Sequence, residues 1–177
     1  MVIMTLDVAL GSRIVIIGNS GSGKSTLARA LEKRAGLSAI DLDSIHWLDK
    51  VGTQRNEAQA RELVRAAASE QRWIIEGVFG WLAEVALPRA TALIWLDLPW
   101  SICRDGLAAR GPWRDAAPEA HADFLQWAED YWRRKTPSSF AGHLALYEGF
   151  DRFKLRLHDR SEITALVQSE PAQVSFE

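Results

Sequence analysis

The run Gly18-Asn19-Ser20-Gly21-Ser22-Gly23-Lys24-Ser25-Thr26 places glycines, a lysine and hydroxyls at a spacing suited to phosphate chemistry. The glycines let the backbone curl so that successive N–H groups point at phosphate oxygens, and a helix N-terminus behind them adds partial positive charge. Lys24 then reaches the outer phosphates, and the Ser25 hydroxyl is placed to ligate Mg²⁺. The apolar run Ile14-Val15-Ile16-Ile17 leads into the loop and a helical stretch from Ser25 to Ala35 leaves it. That strand–loop–helix context argues against the alternative, a Gly-Ser turn with an incidental lysine. Gly18 to Thr26 are therefore the expected contacts of a nucleoside triphosphate such as ATP, bound with Mg²⁺.

Mg²⁺ beside a triphosphate needs carboxylates to hold its coordinated waters, and an acceptor hydroxyl needs a group that orients it or takes its proton. Ligands of parallel sheets sit beyond the carboxyl ends of the strands, and Asp41, Asp43, Glu76 and Asp97 all follow apolar runs. In an extended segment Asp41 and Asp43 share one face and point into one crevice; capping a turn is their other possible use. Glu76, before Gly77, reads equally as a cleft residue or a surface charge. Asp97, before Leu98-Pro99, reads as the start of a helix and stays outside the catalytic set. Phosphoryl transfer also calls for positive charge. Candidates are Arg104, Arg110 and Arg114, with Arg110 foremost, and the cluster Arg133-Arg134-Lys135. Arginines on helices also face solvent or complement a helix C-terminus. Arg160 is expected to lay its planar guanidinium on a purine base.

The elements that must carry these residues are short continuous apolar runs, as strands covered on both faces read. They are Ile14–Ile17, Ala39-Ile40, Trp73–Ile75 and Ala92–Leu96, while Phe153–Leu157 alternates as an edge or half-covered strand does. Helical stretches lie between them: Ser25–Ala35, Asn56–Gln71, Trp100–Arg110, about Pro118–Lys135, and a last one opening on Asp159-x-x-Glu162 in the manner of a capping box. The alternation gives an α/β class with a mainly parallel sheet, read as one domain over 1–177 with a frayed tail after Gln168. The composition is 47% hydrophobic and 25% charged, which suits a globular domain and excludes disorder. Lys+Arg number 21 against 23 Asp+Glu, a net charge of −2 that argues against a nucleic-acid partner. The lone Cys103 excludes an internal disulfide and suits a reducing cytoplasm. No apolar run reaches membrane-span length, and an N-terminus without basic residues does not read as a secretory signal. Of the 8 tryptophans, Trp73 and Trp95 belong to the core. Trp47, Trp81, Trp113, Trp127 and Trp132 pack on helices or line an acceptor pocket. The four histidines, His46, His121, His143 and His158, show no metal-ligand spacing, so no zinc site is expected, and the sequence sets no oligomeric state.

Several of these segments occur in a familiar order: Gly18 to Thr26, Asp41-Leu42-Asp43-Ser44-Ile45-His46-Trp47, Thr53-Gln54-Arg55, Trp73-Ile74-Ile75-Glu76-Gly77 and Leu96-Asp97-Leu98-Pro99. The chain resembles adenylate-kinase-related P-loop proteins, in particular the small bacterial group labelled DNA topology modulation proteins or adenylate-kinase-like. The likeness covers most of 13–168. It implies a nucleoside-monophosphate-kinase-like fold of five parallel strands with helices on both faces. It also implies a substrate-binding insertion around 44–70 and a helical lid around 110–136. Lys24 and Ser25 resemble the phosphate and magnesium residues. Asp41 resembles the carboxylate near magnesium, and Asp43 the one that meets the acceptor hydroxyl. Glu76-Gly77 falls where such kinases carry Asp-Gly, and Arg55 and Arg110 fall where the group tends to have arginine. The Asp-Gly-Phe-Pro-Arg signature of adenylate kinases is here Glu76-Gly77-Val78-Phe79-Gly80, without its arginine, and Gly106 stands where a lid arginine would fit. The expectation is an ATP- and Mg²⁺-dependent kinase of a small-molecule acceptor, with Lys24, Asp43 and Arg110 catalytic and Asp43, Arg55, Glu76 and Gly77 on the acceptor. The alternative is a nucleotide-binding regulatory module or slow ATPase acting through a partner.

Overall fold

The computed structural model describes residues 9–48, 52–112 and 117–168. Trp113, Arg114 and the tail 169–177 therefore lie outside the described residues. Five parallel strands form one sheet: β1 (Arg13–Gly18), β2 (Ser38–Asp41), β3 (Trp73–Gly77), β4 (Ala92–Leu96) and β5 (Phe153–Leu157). Their spatial order is β2-β3-β1-β4-β5. The expected strands are all present. β3 and β4 are buried along their whole length, as their unbroken apolar sequences require, and the alternating β5 is a half-buried edge strand.

Because successive strand residues face opposite sides, the central strands feed two cores. Val15, Ile17, Trp73, Ile75, Leu93 and Trp95 pack on one face with α3 (Glu57–Ser69), α4 (Gly80–Ala86) and α7 (Phe140–Gly149). Ile14, Ile16, Ile74, Ile94 and Leu96 pack on the other with α1 (Lys24–Ala35), α5 (Trp100–Arg110) and α8 (Arg160–Gln168). Two further α-helices among the described residues are the short α2 (Leu42–His46) and α6 (Pro118–Glu129). β1 lies between β3 and β4, with β1 Gly18 paired to β4 Leu96 and β1 Ile17 to β3 Gly77. The carboxyl ends of three strands thus surround the glycine loop, where α/β sheets form their ligand crevice.

Three readings of the sequence need correction. The stretch Pro118–Lys135 is not one helix: α6 ends at Glu129 and a 3₁₀ turn, Asp130–Trp132, follows. That turn swings Tyr131 into the core, and Pro137 disfavours helix before it. The helix Phe140–Gly149 has no counterpart in the sequence reading, because its apolar residues run all round it and leave no stripe. The short helix Gly80–Ala86 was likewise unread. The last helix does carry the reciprocal cap: Asp159 accepts from the Glu162 amide at 2.9 Å, while Glu162 reaches back to the His158 amide.

α3 begins where the sequence places it. Asn56 caps it, its side-chain oxygen accepting from the amides of Ala58 (3.0 Å) and Gln59 (3.3 Å). Asn56→Ala should lower stability by about 1 kcal/mol, and Asn56→Asp should largely retain it. Urea melts check this, and an alanine variant as stable as the parent would remove the cap from the account.

Candidate functional site

The glycine loop turns sharply at Gly21 (φ 79°) and Gly23 (φ 97°), left-handed positions where glycine is favoured. Gly23 is also the N-cap of α1, which has neither a side-chain cap nor an acidic residue in its first turn. The first amides of a helix lack intrahelical acceptors, so this end of α1 presents uncompensated donors and positive dipole, as an anion needs. The loop carbonyls are held from other sides. Lys24 Nζ donates to the Asn19 carbonyl at 2.9 Å, and Arg160 donates to those of Ser22 (2.7 Å) and Gly21 (3.2 Å). Arg160 thus spends its donors on the loop itself, a use that the base-packing expectation did not include.

The loop is roofed at very close range by α5. A Cβ on Gly106 would lie 2.4 Å from the Gly21 carbonyl oxygen, so the helix touches the loop only because residue 106 has no side chain. An arginine at that position is sterically excluded, which explains the sequence departure. Cys103, in the same helix, is buried against the loop, and burial pushes its thiol up to about 11.

A cleft of about 560 Å³ opens over the loop. Ser20, Gly21, Gly23, Lys24, Ser25 and Thr26 line its floor, with Arg29, Arg110 and Arg160 around them. Asp41, Asp43, Glu76, Gly77 and Val78 line it as well. Gly18, Asn19 and Ser22 are buried beneath the loop. Arg29 was not anticipated, although its i, i+4 relation to Ser25 on α1 placed it on the same helical face.

The two aspartates reach the cleft by a different route from the extended segment expected. β2 stops at Asp41, whose Oδ1 caps α2 by accepting from the Asp43 amide at 2.8 Å. Asp43 sits in the first turn of that helix. Burial, with the negative charge of Asp41, pushes the Asp43 carboxyl from 3.8 up to about 6, against the pull of Lys24 and Arg110. Glu76 is only 4% exposed, which removes its surface-charge reading. Burial also raises its pKa, opposed by Lys24 and by a hydrogen bond from Ser25. No group of three or more His, Cys, Asp or Glu among the described residues forms a ready-made metal cage. Ser25 with neighbouring carboxylates instead makes a hard-oxygen set that suits Mg²⁺, an ion that keeps waters and takes phosphate oxygens as ligands.

Several candidates lie elsewhere. Arg55 is not a lining residue; its Nε donates to the Ile45 carbonyl at 2.8 Å and its amide to His46. Arg104 faces Asp105 at 3.6 Å, Arg133 pairs with Asp130 at 2.8 Å, and Arg134 stacks on Trp127 at 4.0 Å from the ring centre. Asp97 does not open a helix: it receives Arg156 at 2.7 Å, and α5 begins after Pro99. Trp47 and Trp81 make edge contacts with His46, which stacks on Phe79.

The family model for ABC transporters matches residues 2–78, the span from the N-terminus through the glycine loop to the end of β3. The uncharacterised protein YqaC of Bacillus subtilis (strain 168) is 40% identical over 70 residues, which cover 38% of this chain and 39% of that protein. Among solved structures, a gluconokinase from Sinorhizobium meliloti 1021 superposes with a TM-score of 0.57 at 18% identity, over 90% of this chain and 89% of its own. A shikimate kinase from Bacteroides thetaiotaomicron gives 0.55 at 19% identity, over 89% and 94%. One from Acinetobacter baumannii in complex with shikimate gives 0.54 at 15%, over 90% and 93%. At these identities the likeness is one of fold: this chain has the P-loop fold of sugar and shikimate kinases. Among the described residues no helix is long and apolar enough to cross a membrane.

The Asp43 shift makes a stability prediction. The folded carboxyl holds its proton more tightly than the unfolded chain, so its contribution is favourable at low pH and is lost as pH rises from about 4 through about 6. Asp43→Asn should therefore be more stable than the parent at pH 7, the gain shrinking towards pH 4. Parallel urea melts across that window check it; a gain that grows on acidification would contradict the assignment.

Proposed function

We propose that this chain is a kinase that transfers the γ-phosphoryl group of ATP to a hydroxyl of a small-molecule acceptor. The observation that carries the reading is the half-buried Asp43 carboxyl in the cleft over the glycine loop, its pKa raised to about 6 and so close to working pH. A carboxylate poised in this way can orient an acceptor hydroxyl and accept its proton near neutrality.

In this reading the loop amides and the first turn of α1 seat the phosphates. Lys24 leaves the Asn19 carbonyl for the outer phosphate oxygens. Ser25 would hold Mg²⁺, with Asp41 on its waters; the ion when bound neutralises charge on the β- and γ-phosphates. The acceptor oxygen forms its bond to the γ-phosphorus as the bond to the bridging oxygen breaks. The hydroxyl proton passes to Asp43, and ADP leaves. Glu76 and Gly77 border the acceptor, and Arg110, exposed at the end of α5 and 5.9 Å from the Phe124 ring centre, is free to meet the transferring group. The missing arginine at position 80 argues against a nucleoside monophosphate as acceptor.

A panel of nucleosides, sugars, hydroxy acids and nucleotides offered with ATP and Mg²⁺ tests this. ADP release should depend on one acceptor class and fall by about 10²–10⁴-fold in Asp43→Asn. Activity should rise with pH through about 6 as Asp43 ionises. Lys24→Ala should abolish turnover while the circular dichroism spectrum stays the same. Slow release that is equal with every acceptor and with none would point instead to a regulatory ATPase.

A further inference from the structure

Two buried hydrogen-bond arms hold the base of α6. The first starts at Asn19, which is 1% exposed. The last carbonyls of a helix lack intrahelical donors, and the Asn19 amide supplies one to the Ala128 carbonyl at 2.8 Å. Its Oδ1 accepts from the Ser20 amide, also at 2.8 Å, so both ends of the side chain are fixed. The backbone carbonyl of the same residue holds Lys24. One residue therefore touches α6 with its side chain and the phosphate-reaching lysine with its main chain.

The second arm starts one turn later, at Tyr131. Trp95 Nε1 lies 3.2 Å from the Tyr131 hydroxyl and can only donate, so that oxygen accepts. The hydroxyl proton then goes to His143 Nδ1, 2.6 Å away, and Nε2 carries the ring proton to the Val78 carbonyl at 3.0 Å. The partners fix the tautomer. Burial drives the imidazole pKa down to about 3, so His143 stays neutral and the chain of bonds intact near neutral pH. Its far end, Val78, follows Glu76-Gly77 and lines the cleft.

We infer that Asn19, Tyr131 and His143 are positioning residues that make the base of α6 a strut between the loop holding Lys24 and the Val78 wall, so that a triphosphate seated on the loop is felt at Val78. The inference rests on the nucleotide reading above, and it adds a route that neither the phosphate contacts nor the acceptor contacts require. Buried bonds of this kind resist independent movement of the groups they join, because an unpaired partner in the interior loses its full desolvation energy.

Hydrogen exchange with Mg²⁺ and a non-hydrolysable ATP analogue, run on the full chain beside calorimetry, tests it. In the wild type the analogue should slow exchange at 18–26 and also at 78–86. Tyr131→Phe removes one hydroxyl; it should bind within about threefold of wild type, keep the loop response and lose most of that at 78–86. Asn19→Ala cuts the other arm and, at saturating analogue, should lose the same distant response, which keeps the test alive should one variant fold poorly. An unchanged 78–86 response in both variants, or a wild-type response confined to the loop, overturns the inference alone. No binding heat with the wild type overturns the nucleotide reading and the inference together.

Discussion

A loop that offers its amides to a polyanion must turn its carbonyls elsewhere, and each carbonyl left in the interior needs a donor. That constraint organises the site. Lys24 takes the Asn19 carbonyl, and Arg160, from beyond β5, takes those of Gly21 and Ser22. The donors come from the loop itself and from Arg160, 138 positions away from Ser22 in the sequence. The contact between Gly21 and Gly106 follows from the same geometry: α5 supports the loop from above and leaves its amide face open.

Charges of both signs line the cleft. Lys24, Arg29, Arg110 and Arg160 meet Asp41, Asp43 and Glu76 there, and Lys24 bears on both Asp43 and Glu76. Crowding of the carboxylates away from water raises Asp43 and Glu76 together. Their ionised forms cost stability, and ionisable groups perturbed in this way gather at functional sites more often than elsewhere. The buried polar groups of Trp95, Tyr131 and His143 are paired in series and hold three separate elements in one arrangement.

The glycine loop and the central strands were legible because their signals are local: contiguous residues, unbroken apolar runs, a helix directly after. The acidic pair was legible as a pair but not in its geometry, since the bend into α2 at Leu42 depends on Asp41 capping that helix. Contacts across long sequence separations were not legible. Asn19 meets Ala128 from 109 positions away, and His143 meets Val78 from 65. No periodicity marks α7, so His143 had no place on any face until the fold supplied one. Arg55 shows the converse: a residue whose position in the sequence looked functional lies against the Ile45 carbonyl outside the cleft.

The central claim is that the loop is a phosphate cradle worked by Lys24, and a crystal structure with Mg²⁺ and a non-hydrolysable ATP analogue tests it most directly. The account predicts phosphates against the amides that open α1, with the Lys24 ammonium moved from the Asn19 carbonyl onto the outermost phosphate. A nucleotide bound elsewhere on the molecule, or one seated on the loop while Lys24 keeps its bond to Asn19, would contradict it.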